Sequence, residues 1–380
     1  MKTFRCDNCG HPVFFENVQC LQCGSALAFL PDRMALCAIE PLPGKAAEGL
    51  WRRIDPRGRK TGAPRYRLCH NHTEHQACNF AVPAQDPNVL CVSCRQTRIL
   101  PDLSVPANHE RWYRIEIAKR RLFYTLARLG LVNPTPASGE QDGPTYEFLA
   151  DLPGQQVMTG HCNGLITLNV VEADDPERVK RRVELHEPYR TLLGHLRHES
   201  GHYYWDVLIR DGGRVDDFRE VFGDESVNYS EALQRHYASG GMPPNWQAQH
   251  VSAYATSHPW EDWAETWAHY LHMVDLLETA AAFHTRVEVP GTDTEVHNPF
   301  EPGEHSFDLL VQQWVPVTLL LNSLNRSLGQ DDAYPFALSR GALEKLRFVH
   351  DVIHSPPASP ATDTAHTDAS SCDAVPEAHN

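Results

Sequence analysis

The sequence has no stretch of about 18 consecutive apolar residues, the length that reads as a membrane-spanning helix. Its longest candidate, Trp314 to Leu321, is too short and reads as part of a buried helix. The N-terminus lacks an apolar run of signal-peptide type and opens with Cys6 and Cys9 among polar residues. A cytoplasmic location without a membrane partner is therefore expected. Positive charge is also scarce: 34 Lys and Arg against 49 Asp and Glu give a formal net charge of −15. By composition the whole chain is not a polyanion binder. The imbalance is uneven, since residues 1–130 hold 19 basic and 11 acidic side chains and the remainder 15 and 38. No internal repeat is evident beyond recurring Cys-x2-Cys pairs.

What is abundant is cysteine and histidine, with 11 and 22 residues. An odd cysteine count with CxxC pairs and no secretory signal argues for metal thiolates rather than disulfides. Apolar residues make up 41 % of the 380, enough for a real core. Four segments stand out: 1–31, short and Cys-paired; 32–104, a second Cys-rich module; 105–353, with long helical periodicities; and 354–380, rich in Pro, Ala, Ser, Thr and Asp. The last lacks the apolar side chains to offset ordering entropy and is expected to be disordered, with Cys372 a bystander in it.

Within the third segment, apolar spacing predicts a helix from Asn108, its cap, to Leu129, ended by Gly130. A strand pair is expected over Gly154 to Val171, and a turn with a helix start at Asp174-Asp175-Pro176. Further helices are expected over Tyr189–Ile209, Pro259–Leu277, Leu309–Leu324 and Ser339–Ile353.

Cys6-x2-Cys9 and Cys20-x2-Cys23 have the spacing of a four-thiolate zinc ribbon, with Gly10 and Gly24 supplying the knuckle backbone. Four thiolates leave no open position, so the role is structural, and metal binding would supply most of so small a segment's folding energy. Cys91-x2-Cys94 is another knuckle, completed by Cys69 and Cys78, with His72 or His75 as alternative ligands. Cys37 and Cys162 are isolated and read as small buried hydrophobes.

The catalytic candidate is His198-Glu199-Ser200-Gly201-His202. Histidines four apart on a helix face one Zn²⁺ together, and Glu199 between them can act as general base to zinc-activated water. In so His-rich a chain the bare motif arises by chance roughly once in ten sequences, so context must support it. A catalytic zinc needs a third protein ligand and an open fourth position. Glu261 and Glu265, one helical turn apart among Trp260, Trp263, Ala264 and Trp267, supply candidates. One carboxylate can bind the metal while the other hydrogen-bonds a ligand imidazole. His195, His269 and His272 are read as supporting, core or surface histidines.

These residues resemble a known family. HExxH followed far downstream by Glu-Asp-Trp-Ala-Glu is similar to gluzincin-type zincins. The CxxC pairs, Cys91-Val92-Ser93-Cys94-Arg95 with Ile99-Leu100-Pro101-Asp102-Leu103-Ser104, and His258 to Thr266 resemble the bacterial zinc-binding metallopeptidases with an N-terminal zinc-ribbon domain. The resemblance covers roughly residues 1–353. It implies an α+β fold: a mainly helical zincin-like domain with a small β-sheet, preceded by zinc-ribbon modules. It also implies His198, His202 and Glu261 as ligands, Glu199 as general base, and one catalytic zinc beside two structural ones. Tyr254, seven residues before Glu261, matches a tyrosine that assists the oxyanion in toxin-like gluzincins. The 58 residues between His202 and Glu261 imply an insertion at 210–250.

Hydrolysis of a peptide or protein substrate is thus the leading expectation. The alternatives are a nucleic-acid or protein-binding module built on the ribbons, supported by Arg52, Arg53, Arg57, Arg59, Lys60, Arg65 and Arg67, or ribbons that recruit a substrate to the peptidase.

Overall fold

The computed structural model describes residues 2–44, 49–55, 58, 62–137, 142–175, 191–289, 292–301 and 306–355. The expected disordered tail lies outside them from residue 356 onward, as do Tyr189 and the helix start expected from Pro176.

The first cysteine pair, Cys6 and Cys9, lies in the turn of a short antiparallel ladder, β1 (Phe4–Arg5) with β2 (Pro12–Val13), and Cys20 and Cys23 follow it. Five antiparallel strands follow in sequential order: β3 (Ala26–Leu30), β4 (Ala35–Pro41), β5 (Trp51–Arg53), β6 (Arg65–Leu68) and β7 (Ala81–Pro83). The residue 31/32 boundary falls between β3 and β4, which pair along the whole of β3. Period-two alternation sends Leu27, Phe29, Leu36 and Ala38 into the main core. Ala28, Leu30, Cys37 and Ile39 go to a smaller core around Tyr66 on the opposite face. A single turn, α1 (His70–Thr73), lies between β6 and β7.

Helix α2 (Pro106–Arg128) ties this region to the rest. Its Tyr124 ring lies 5.5 Å from Phe15, which in turn meets Phe29 at 5.1 Å, so one apolar core runs from Phe4 to Val352. The expected cap at Asn108 is corrected: Val105 precedes the helix and Pro106 opens it. Proline suits a first turn because its missing N–H has no partner there anyway. Asn108 is buried inside the helix, donating to the Asp102 carbonyl at 3.2 Å.

A four-stranded mixed sheet has the order β10-β11-β9-β8, from β8 (Thr97–Ile99), β9 (Thr145–Leu149), β10 (Gly160–Cys162) and β11 (Leu165–Asn169). The expected strand pair is shorter than its pattern: Val157 and Met158 precede β10. Asn163 and Gly164, with φ of 47° and 83°, form the two-residue turn that matches strand twist.

Helix α3 (Leu192–Trp205) begins at Thr191, whose hydroxyl accepts from the Gly194 amide at 2.9 Å, and runs into a π-helical turn, Asp206–Arg210. The expected insertion contains α4 (Val215–Phe222) and α5 (Tyr229–Ala238). Helix α6 (Pro259–Ala282) is capped by His258, which accepts from the Trp260 amide at 3.1 Å. After the hairpin β12 (Arg286–Val289) and β13 (Thr292–Glu295) come α7 (Phe307–Ser327) and α8 (Arg340–His354). The Trp314–Leu321 run is buried on one side only: Trp314 and Val317 face the core, while Val315, Leu319 and Leu320 are exposed. Among the described residues no helix is long and apolar enough to cross a membrane.

Helices α3 and α6 pack face to face. Trp263 Nε1 donates to the Gly201 carbonyl at 2.8 Å and Trp267 Nε1 to Ser200 Oγ at 3.1 Å. Both buried indoles thereby find acceptors on the partner helix.

Candidate active site

Two cysteine clusters are assembled. In the first, the sulfurs of Cys6, Cys9, Cys20 and Cys23 lie within 4.8 Å of one another, with Cys6–Cys23 and Cys9–Cys20 at 3.7 Å. Gly10 and Gly24, at φ near 74° and 73°, turn each knuckle. The second gathers Cys69, Cys78, Cys91 and Cys94, all buried, with Cys78–Cys91 at 3.7 Å and Cys78–Cys94 at 3.5 Å. A zinc tetrathiolate with bonds of about 2.3 Å has ligand edges of about 3.8 Å, so both clusters fit the ion. Amides of Phe80, Cys91 and Cys94 donate to the second cluster's sulfurs at 3.3–3.4 Å. The alternative ligands stand elsewhere: His72 Nδ1 meets the Cys78 carbonyl at 2.7 Å, and His75 lies edge-on to Trp112. Cys37 is buried and burial pushes its thiol up to about 12, while Cys162 is half-buried.

The third cluster joins α3 to α6. His198, His202 and Glu261 each bring a ligand atom within 4.8 Å of the others. Glu261 Oε2 is 3.1 Å from His198 Nε2, and Oε1 is 3.6 Å from His202 Nε2. A tetrahedral zinc with bonds of about 2.0–2.1 Å has ligand edges near 3.4 Å, which these separations match. Burial alone would raise the Glu261 carboxyl, but His202 and His198 hold it well below the usual carboxylate range. His198 moves the opposite way: burial opposes its charge, yet Glu261 and Glu265 push it well above the usual range. Such an arrangement attracts positive charge, which a divalent cation supplies.

Glu265 does not reach the same nitrogen. Its Oε1 meets His198 Nδ1 at 2.7 Å, on the far side of the ring from Glu261. Glu199 is buried; its Oε1 is 3.2 Å from His195 Nε2, and its Oε2 has no hydrogen-bond partner among the described residues. Tyr254, on a short 3-10 turn, places its ring 6.0 Å from that of His198. His269 Nδ1 pairs with the Tyr334 hydroxyl at 2.7 Å, and His272 lies edge-on to Trp314 and Tyr334.

Sequence reasoning missed three neighbours. Tyr229 on α5 donates to Glu261 Oε1 at 2.7 Å and is hydrogen-bonded to Tyr254. His161 on β10 stacks on His202 at 6.2 Å with the rings 15° apart, and burial holds its imidazole down to about 4. Glu172 meets His195 Nδ1 at 2.7 Å. None has a spacing signal, because each comes from a different element.

Three of the four described residues of the basic stretch are paired. Arg52 bridges to Glu40 at 2.7 Å, Arg53 to Asp7, and Arg67 donates to the carbonyls of Asp86 and Asn88. Arg65 is exposed, while Arg57, Arg59 and Lys60 lie outside the described residues.

The family described as "Putative zinc-binding metallo-peptidase" matches residues 108–352, and a zinc-ribbon domain matches residues 3–105. Uncharacterized proteins of Mycobacterium tuberculosis (strain ATCC 25618 / H37Rv) and Mycobacterium bovis are 41 % identical over 371 residues, 97 % of this chain and 99 % of theirs. No solved structure matches. The chain belongs to this zinc-binding metallo-peptidase family, with a zinc-ribbon domain ahead of the matched region.

Proposed function

We propose that the chain is a zinc-dependent peptidase of gluzincin type, in which His198, His202 and Glu261 hold the metal and Glu199 is the general base. The observation that carries it is the convergence of Glu261 from α6 on the two α3 imidazoles, 3.1 and 3.6 Å away, beside a buried Glu199 oxygen with no partner among the described residues. The zincin-like reading rests on the same pair of helices and on β10 lying against α3. Bound zinc would acidify a water and polarise the scissile carbonyl. Glu199 Oε2 takes the proton from the attacking water and returns it to the leaving amine. Glu265 orients the His198 ring through Nδ1, and Tyr229 steadies the Glu261 carboxylate. Tyr254 donates to the developing oxyanion, exchanging its contact with Tyr229 for one to substrate. The two four-cysteine sites are structural, since four thiolates leave no position for chemistry.

The test is metal analysis joined to a screen of proteome-derived peptides. Wild type is expected to hold zinc and cleave, and Glu199→Gln to keep its zinc and lose cleavage. Cleavage that survives in Glu199→Gln refutes this mechanism. Glu261→Ala should lose one zinc and leave the ribbon metals; unchanged zinc would remove Glu261 from the ligand set.

A further inference from the structure

Behind Glu199 runs a line of buried polar contacts that peptide hydrolysis as described above does not use. The two oxygens of Glu199 are unequal: Oε1 faces His195 Nε2 at 3.2 Å, whereas Oε2 has no hydrogen-bond partner among the described residues. His195 precedes Glu199 by four residues, so its ring stands one helical turn away on the same face of α3. Its other nitrogen is held from outside the helix, with Nδ1 at 2.7 Å from Glu172 Oε2. Glu172 lies in the short 3-10 turn Val170–Ala173 that follows β11, and its Oε1 accepts from Thr159 Oγ at 3.0 Å. Glu172 is 1 % exposed and Glu199 6 %.

Burying three ionisable side chains in a row is costly unless each is paired. An ionised carboxylate only accepts, so each nitrogen–oxygen contact needs its proton on the ring. With both carboxylates ionised, Nδ1–H donates to Glu172 and Nε2–H to Glu199. The sheet-side turn thereby sets the ring's orientation, and the ring sets that of Glu199. The terminal torsion of a glutamate is otherwise broad. Proton transfer, by contrast, requires hydrogen-bond reach to the attacking water.

We propose that His195, anchored by Glu172, is the positioning residue that fixes Glu199 Oε1 and so presents Oε2 for proton transfer. This rests on the reading of Glu199 as general base. The line Thr159–Glu172–His195–Glu199 couples the sheet to the reacting carboxylate without touching a metal ligand atom.

The test uses the full chain loaded with zinc. His195→Phe keeps a ring and removes both nitrogens; His195→Gln restores one donor; Glu172→Gln weakens the anchor. Zinc per chain is measured by mass spectrometry. Values of kcat and KM are measured separately on a peptide the cleavage screen yields. His195→Phe should lower kcat about 10- to 100-fold, the usual range for losing an outer hydrogen-bond partner. KM and zinc content should stay unchanged, and His195→Gln should recover part of the loss. A wild-type kcat in His195→Phe, or a loss explained wholly by missing zinc, overturns the proposal. A second readout needs no turnover: ring-nitrogen NMR of selectively labelled histidine. The His195 signals should show both nitrogens protonated and should shift in Glu172→Gln and in Glu199→Gln. Signals that stay put in both variants overturn the anchoring. If they shift but wild type cleaves no peptide, the peptidase reading fails while the anchoring survives.

Discussion

Gly201 on α3 lies so close to Ala264 on α6 that a β-carbon at position 201 would stand 2.9 Å from the Ala264 Cα. The same carbon would be 3.2 Å from Trp267 Cδ1. Backbone cannot yield as a flexible side chain can, so a larger residue must push the helices apart. His198 and His202 are on one of these helices and Glu261 is on the other. The glycine inside the His-Glu-x-x-His motif therefore sets the distance across the proposed metal site.

Gly201→Ala is expected to destabilise the fold by about 1–3 kcal/mol, the usual cost of overpacking a core. It should also release the zinc held by His198, His202 and Glu261 while both ribbon sites keep theirs. Thermal unfolding followed beside metal analysis checks both. A variant as stable as wild type with full zinc would mean that α6 shifts freely.

Tyr229→Phe removes a 2.7 Å hydrogen bond to Glu261 Oε1 and keeps the ring. Zinc affinity at that site should fall about 10- to 100-fold, as for other outer partners of metal ligands. Competition with a chromophoric chelator measures it. Tyr254→Phe, which leaves Glu261 bonded to Tyr229, should instead lower turnover with zinc affinity intact.

The two ribbon sites should release zinc at different rates. Cys9 and Cys23 are exposed, whereas Cys69, Cys78, Cys91 and Cys94 are all buried. A chelator added in excess should strip the first site quickly and the second slowly. Cys20→Ser should abolish the fast phase, and its persistence in that variant would contradict the assignment.

Cys37 should resist alkylation in the folded protein. Burial raises its thiol from 9.0 to about 12, so the reactive thiolate is scarce at neutral pH. The sign for stability follows. The folded state holds this proton more tightly than the unfolded one, so the contribution is full below about 9 and is lost between about 9 and 12. Iodoacetamide labelling read by mass spectrometry, native against denatured, gives the comparison. Rapid native labelling of Cys37 would show that the small core around Tyr66 opens.

Much of the ligand chemistry was legible in the chain order. Cysteine pairs three residues apart, and histidines four apart on a helix, are local geometries that spacing alone dictates. The long helices were also legible through apolar periodicity, although their ends moved. Pro106 rather than Asn108 opens α2, because a missing N–H is tolerated in a first turn. The Trp314–Leu321 run misled, since apolar content does not say which face of a helix meets the core.

By itself, the sequence determined the four thiolates of the first site and an imidazole pair with a glutamate between, and left the second site open between four thiolates and three with His72 or His75. It narrowed the remaining carboxylate to Glu261 or Glu265 without separating their positions. Only tertiary structure placed Glu261 at His198 Nε2 and Glu265 at His198 Nδ1. Only it brought Tyr229, His161 and, through Glu172, His195 to the same place. The physical reason is reach. A helical turn fixes neighbours three or four residues apart, but contacts across 32 or 67 residues depend on how α3, α5 and α6 pack, which local spacing does not encode.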